Sequence, residues 1–286
     1  MVICLRWLLI GALAFVYSIS PPGLAAQGTG AKVSAAPGTL VRWAAPGTKR
    51  CSMKGRAWPA LQETCYYPID LLQKPALIPI ARWGTGPRKL AHISVEPYEY
   101  GTKEIDLPNI PQANPSSEDL KRDSGDQALL SKVWSRSEGP PRFTLPLGAP
   151  ADPLPKGKSF GVKRVFNGKP APHLHTGTDY ATPVGTPVVA VADGTVVAAK
   201  DMFFEGNAVF IDHGDGLISM YFHLSEIKVQ VGQEVKKGHT LGRVGSTGRA
   251  TGPHLFFGVR WHNARIDPQF LLGEPGKIPT VDRVSR

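Results

Sequence analysis

Eight histidines are spread through the 286 residues, and three short segments place some of them where they could do chemistry. His175 and Asp179 stand four residues apart in His-Thr-Gly-Thr-Asp. A neutral imidazole and a carboxylate are both good zinc ligands, and on a turn-rich segment this spacing lets them converge on one ion. The plainer alternative is a turn in which Asp179 accepts hydrogen bonds from backbone amides. His223, in Tyr-Phe-His-Leu, sits among aromatics, the setting of a buried structural histidine. His254 opens the run His-Leu-Phe after Gly252-Pro253. On a strand, residues i and i+2 share a face, so His254 and Phe256 should point the same way. His92 is alone and reads as structural. His213 reads as a hairpin-turn residue, and His262 as exposed beyond the last strand. The glycine-rich stretch from Gly242 to Gly252 lacks the Gly-Lys-Ser/Thr of a phosphate loop and leads into a strand, so it reads as a tight turn.

The elements that must position these residues are short strands. The 31 glycines and 27 prolines favour turns over long helices. Val188 to Ala192, Asp193-Gly194 and Thr195 to Ala199 read as a hairpin with a two-residue turn. Val209 to Ile211 and Leu217 to Phe222 flank a second turn at His213 to Gly216. Glu234 to Gly238 turns into Thr240 to Val244, and His254 to Arg260 is the final strand. The fold class is therefore mainly β, with an antiparallel C-terminal domain over residues 143–275 and a tail at 276–286. Upstream, residues 27–39 read as a flexible leader and 40–107 as a small β module. Residues 108–142 form a linker and one helix, whose apolar stripe is Leu120, Ala128, Leu129, Leu130 and Val133.

The first 26 residues read as a secretory signal. Arg6 is their only charge, Trp7 to Ile19 is apolar, and Gly23-Leu24-Ala25 supplies small residues for cleavage near Ala25 or Ala26. An uncleaved anchor is the rival reading, but the run is shorter than the roughly 20 residues needed to span a bilayer. The membrane is then met only in transit. Cleavage would lower the net charge of +10 by one. A basic exported chain stays near anionic surfaces such as the cell wall. Export argues against nucleic acid, and no recognised nucleic-acid motif is present. Cys51 and Cys65 remain, an even pair that most simply forms one disulfide in an oxidising compartment.

The segments also follow one another in a recognisable order. His-x-x-x-Asp, Gly-Thr-Pro-Val, the Asp-Gly turn, Ile-Asp-His-Gly-x-Gly, Tyr-x-His-Leu, Val-Gly-x-x-Val-Lys-x-Gly and Gly-Ser-Thr-Gly-x-x-Thr-Gly-Pro-His-Leu run from His175 to Leu255. The stretch around them, from about Ser159 to Leu272, resembles the lysostaphin-type zinc metallopeptidases, which cut peptide cross-links of bacterial peptidoglycan. The front half looks more loosely like that of some exported Gram-negative members. The resemblance implies a zinc cofactor held by His175 and Asp179. It also implies that His223 and His254 flank the metal-bound water, one taking its proton and both steadying the oxyanion.

One position departs from the pattern. The family's motif ends His-x-His and its last histidine is the third ligand, whereas this chain has Phe256. His173 could substitute, or His254 could move onto the metal and leave His223 as the only base. Two readings stay open. One is an exported zinc endopeptidase of the periplasm or cell envelope that acts on peptidoglycan. The other is a domain of the same fold that binds peptidoglycan or activates another cell-wall hydrolase. Division-linked amidase activators, which resemble this family without its metal site, are of the second kind.

Overall fold

The computed structural model describes residues 31–135 and 139–281. The segment read as a secretory signal lies outside them. Among the described residues, no helix is long and apolar enough to cross a membrane.

Seven strands make the N-terminal module: β1 (Lys32–Ala35), β2 (Leu40–Ala44), β3 (Thr48–Met53), β4 (Arg56–Pro59), β5 (Thr64–Pro68), β6 (Ala76–Gly84) and β7 (Lys89–Val95). Five of them form a sheet in the order β1-β7-β6-β3-β4, and β2 pairs with β5. Inward-facing Val41, Trp43, Tyr67, Ile80 and Ile93 fill the space between. Cys51 on β3 and Cys65 on β5 are joined by the expected disulfide, which fastens one sheet to the other. β1 corrects the reading of residues 27–39 as a flexible leader. Val33 and Ala35 alternate inward and the strand pairs in parallel with β7, so a buried sheet edge orders this part of the segment.

The chain leaves the module through β8 (Thr102–Ile105), which pairs in parallel with β9 (Lys163–Phe166). Between them lies α1 (Ser117–Ser135). Ser116 and Asp119 cap its start reciprocally, each accepting from the other's backbone N–H, at 3.2 and 2.9 Å. The helix buries Asp126, Leu130 and Val133, a spacing that lies on one helical face. Leu120 is 49% exposed and Ala128 is also exposed, so the stripe read from the sequence is partly wrong. Asp126 takes the inward place instead. It is fully buried and accepts from Lys200 Nζ at 2.6 Å and the Phe203 amide at 2.9 Å.

After β9 and β10 (Lys169–Pro170), the C-terminal strands are β11 (Gly177–Tyr180), β12 (Pro187–Val189), β13 (Gly194–Met202), β14 (Gly206–Asp212), β15 (Leu217–Ile227), β16 (Glu234–Val235), β17 (Thr240–Val244), β18 (Leu255–Trp261) and β19 (Ala264–Ile266). They form one sheet with the central path β11-β18-β15-β14-β13-β16. β14 and β15 form the expected hairpin. The expected hairpin across Asp193-Gly194 is absent: β12 pairs with β17, and β13 with β14 and β16. Asp193 holds Lys237 N and Lys236 Nζ, both at 2.9 Å, so it ties down a neighbouring turn.

Alternation along β15 and β18 sends side chains into two cores. Leu217, Tyr221, Leu255, Phe257 and Trp261 enter the larger one with Phe143 and Leu147. Ile218, Met220, Phe222 and Phe256 face the other way, where Leu130 and Val133 of α1 cover them. The N-terminal module adds Leu40 and Tyr66 to the larger core. Asp70 accepts from Arg265 Nε and Nη2 at 2.8 and 2.7 Å. Beyond α2 (Gln269–Leu272) the supposed tail also packs: Ile278 enters the larger core and Val281 the module's core. Apolar residues at 278 and 281 give it a reason to dock. The module, the C-terminal sheet and this segment are therefore not separable pieces.

The Cys51–Cys65 bridge closes a loop with a sequence separation of 14. Cross-linking a loop of that size restricts the unfolded chain by about 3 kcal/mol. A Cys51→Ser/Cys65→Ser double variant is expected to lose roughly that much in urea unfolding, a loss that reductant reproduces in the natural chain.

Candidate metal and peptide site

The register of three strands builds the site. Asp179 on β11 lies opposite Phe256 on β18, and Phe256 lies opposite Phe222 on β15. His175 precedes β11 and His254 precedes β18. His223 lies within β15 yet has φ 64°, a left-handed conformation unusual for a residue with a side chain. Its amide donates to Glu205 O at 2.9 Å, and the ladder with β14 shifts register nearby. This departure from regular strand geometry sets His223 beside His254, with ring centroids 4.7 Å apart.

Backbone carbonyls fix all three rings. His175 Nδ1 lies 2.8 Å from Ser159 O, His223 Nδ1 2.8 Å from Thr247 O, and His254 Nδ1 2.8 Å from Gly252 O. A carbonyl only accepts, so each Nδ1 donates to it and each Nε2 is left to face the site. Ser159 anchors twice, because its Oγ also accepts from the Asp179 amide at 2.8 Å.

His175 Nε2 and Asp179 Oδ1 are buried, 3.4 Å apart, and neither has a hydrogen-bond partner among the described residues. Burial pushes the His175 pKa below its ordinary value, so the ring is neutral at pH 7 and no proton fills the gap. Burial would raise the Asp179 carboxyl, but the positive charge of Arg164 beside it opposes this and holds the group below the usual carboxylate range. The Arg164 guanidinium pairs with Asp179 Oδ2, and His254 Nε2 lies 3.7 Å from Oδ1. Burial, by penalising the charged ring, pushes His223 down to about 3.

Two facing acceptors at this separation suit a shared cation. Tetrahedral zinc with bonds of about 2.0–2.1 Å places its ligands roughly 3.3 Å apart. At the position where the resemblance implies a third ligand stands Phe256, which is 4% exposed. Its ring stacks on Phe222 at 4.4 Å with planes 2° apart, and meets His175 edge-on at 5.2 Å. A Cβ at Gly177 would collide with this ring, so the glycine of His-Thr-Gly-Thr-Asp makes its room. His173, the suggested substitute, is exposed. No group of three or more His, Cys, Asp or Glu able to hold a metal occurs among the described residues. The donors present therefore fit two positions of a catalytic zinc site and do not fit the third.

Other expectations divide. His213 is structural as read: it is fully buried, with Nδ1 2.8 Å from Asp193 O and Nε2 2.7 Å from Ser219 Oγ. His262 is not exposed. Its ring packs 4.5 Å from Trp58 of the N-terminal module, a contact visible only once the two halves dock. Arg164, Ser159 and Asp126 were missed. Asn167-Gly168, with φ 48° and 77°, is the turn dipeptide that could have revealed the β9–β10 hairpin and hence Arg164. Beside the site runs a groove of about 680 Å³ bounded by β8, β9 and the loop 249–254. A second cavity of about 370 Å³ lies beneath α1, floored by Phe222 and Phe256.

A β-sheet groove with His-x-x-x-Asp at one strand and an imidazole pair across it defines the scaffold of a metallopeptidase. The profile of peptidase family M23 matches residues 173–268. A crystal structure of a peptidase M23 from Pseudomonas aeruginosa is 33% identical, with a TM-score of 0.63 over 83% of this chain and 95% of that one. This chain belongs to peptidase family M23. It is 48% identical over 83 residues to the peptidoglycan DD-endopeptidase ShyA of Vibrio cholerae, covering 29% of this chain and 19% of ShyA. Over 112 residues it is 46% identical to the DD-carboxypeptidase/endopeptidase Mpg of Neisseria meningitidis serogroup B, covering 39% of this chain and 26% of Mpg. The chain thus spans about a fifth to a quarter of the length of these curated relatives.

Burial pushes His213 down from 6.5 to about 4. Between those values the unfolded chain binds a proton there and the folded chain does not. The stability from neutral His213 is therefore full above about pH 6.5 and is lost as pH falls towards 4. Asp215, raised by burial to about 7, acts in the opposite sense, so a difference measurement is needed. The stability gap between the natural chain and His213→Asn in urea unfolding is expected to shrink from pH 7 to pH 4.5. A constant gap would contradict the neutral, buried assignment.

Proposed function

We propose that this protein works in the bacterial cell envelope on peptidoglycan, as an M23 domain that holds the peptide part of the polymer in its groove. Phe256 carries the decision about chemistry. Catalytic zinc sites keep three protein ligands and a water, and losing even a residue that merely supports a ligand costs roughly 10–100-fold in affinity or activity. With a phenyl ring in the third position, the reading is a domain that binds the polymer, or presents it to another hydrolase, without cutting it. The Cys51–Cys65 bridge, the signal-like N-terminus and the net charge of +10 support an exported, wall-associated location. The names of the relatives ShyA and Mpg support peptidoglycan as the ligand.

A second reading, a zinc endopeptidase, is favoured by the orphaned pair His175 Nε2 and Asp179 Oδ1. One experiment separates the two. The full chain is purified in the presence of zinc, its metal content is measured by mass spectrometry, and it is incubated with purified sacculi. The expected outcome is sacculus binding, zinc far below one per chain, no released muropeptides, and a gain of zinc in Phe256→His. One tightly held zinc per natural chain together with muropeptide release would establish the endopeptidase.

A further inference from the structure

Arg249 is the cation that the hydrolytic scaffold leaves unexplained. It lies in the loop before His254, and its amide donates to Phe204 O at 2.8 Å, which pins the backbone. The guanidinium sits between two phenyl rings, 4.6 Å from the Phe166 centroid and 4.4 Å from that of Phe204. Contact with two rings shields part of the cation from water, while its N–H groups remain without an acceptor. Among the described residues no carboxylate lies within 4.0 Å of it, and its side chain makes no hydrogen bond. Glu205 is the nearest candidate by charge, yet it does not pair with Arg249. Its own Oε2 is buried without a partner, and burial raises its pKa.

Position makes this cation useful. Arg249 lines both the 680 Å³ groove and the 370 Å³ cavity, as Arg164 does. Arg164 is already engaged by Asp179, so Arg249 is the guanidinium with its donors to spare. His254 lines the same groove, as do Lys103, Lys156 and Lys158, with Glu104, Asp106 and Asp179 as the opposing charges. A ligand that supplies one carboxylate completes Arg249 through charge-assisted hydrogen bonds.

We propose that Arg249 is a specificity-determining residue that binds the free carboxylate of a peptide lying in the groove. The assignment rests on the peptidoglycan reading above and narrows it to peptide stems that carry an unamidated carboxylate. The guanidinium offers parallel N–H donors that match the two oxygens of a carboxylate, whereas a carboxamide opposes one donor with a donor. Phe166 is brought there by the β9–β10 hairpin and Phe204 by the turn between β13 and β14, so the subsite needs the whole fold.

The test is calorimetric titration of the full chain with two synthetic stem peptides, identical except that one ends in a carboxylate and the other in a carboxamide, alongside binding to purified sacculi. The natural chain is expected to bind the acid about tenfold more tightly, a difference of roughly 1.4 kcal/mol. Arg249→Ala should erase that preference. Arg249→Met should do the same while its unbranched side chain still fills the gap between the rings, and thermal melts report whether each variant is folded. Equal affinity of the natural chain for both peptides overturns the assignment and leaves the peptidoglycan reading standing. A preference that survives in a folded Arg249→Met also overturns it. Failure to bind either peptide or sacculi removes both.

Discussion

Strands β11, β18 and β15 lie side by side, and their register sets Asp179, Phe256 and Phe222 in one row across the sheet. Antiparallel pairing brings directly opposed side chains within contact of one another. Whatever occupies position 256 therefore meets both the carboxylate at 179 and the ring at 222. In this chain the result is a junction between a polar half, with His175, Asp179 and His254, and an apolar half that continues into the core beneath α1. The groove, the helix cover and the flanking cations are all arranged around that row.

The phenyl ring at 256 is embedded in its surroundings. It stacks on Phe222, meets His175 edge-on and occupies the space left by the bare Cα of Gly177. An aromatic stack of this kind is worth about 0.5–1.5 kcal/mol beyond its area, and α1 seals it from above through Leu130 and Val133. On the other side, the carbonyls of Ser159, Thr247 and Gly252 hold three imidazoles with Nε2 turned away from them towards the site. Imidazole nitrogens and a carboxylate thus lie beside a ring that offers no lone pair. Arg164 supplies a positive charge to Asp179 from within the chain, which accounts for how a buried carboxylate stays ionised there.

The N-terminal half contributes to this arrangement. β8 pairs with β9 and so places Arg164 and Phe166 against the groove. Asp70 clamps Arg265, and Tyr66 packs on Trp261 at 5.5 Å. Because these contacts join the module to β18 and β19, the groove is a property of the whole described chain and not of the C-terminal strands alone.

The sequence by itself determined the local chemistry: His175, Asp179, His223 and His254 with their spacing, the mainly β character, the β14–β15 hairpin and the Cys51–Cys65 pair. Each is written in a few adjacent residues or in an even cysteine count, so each can be read locally. It also marked Phe256 as the odd position. What only the tertiary structure decided depends on pairing across long separations. β12 turned to β17 because Asp193 holds Lys236 and Lys237. Asp126 displaced Leu120 and Ala128 from the inner face of α1 because Lys200 and the Phe203 amide wait opposite it. His262 became half-buried because Trp58 docks on it. Arg164 and Arg249 acquired their places because hairpins distant in sequence meet at the groove. Register and docking belong to no short segment, so the partners of a charged side chain, and with them its role, emerge only when the strands are assembled.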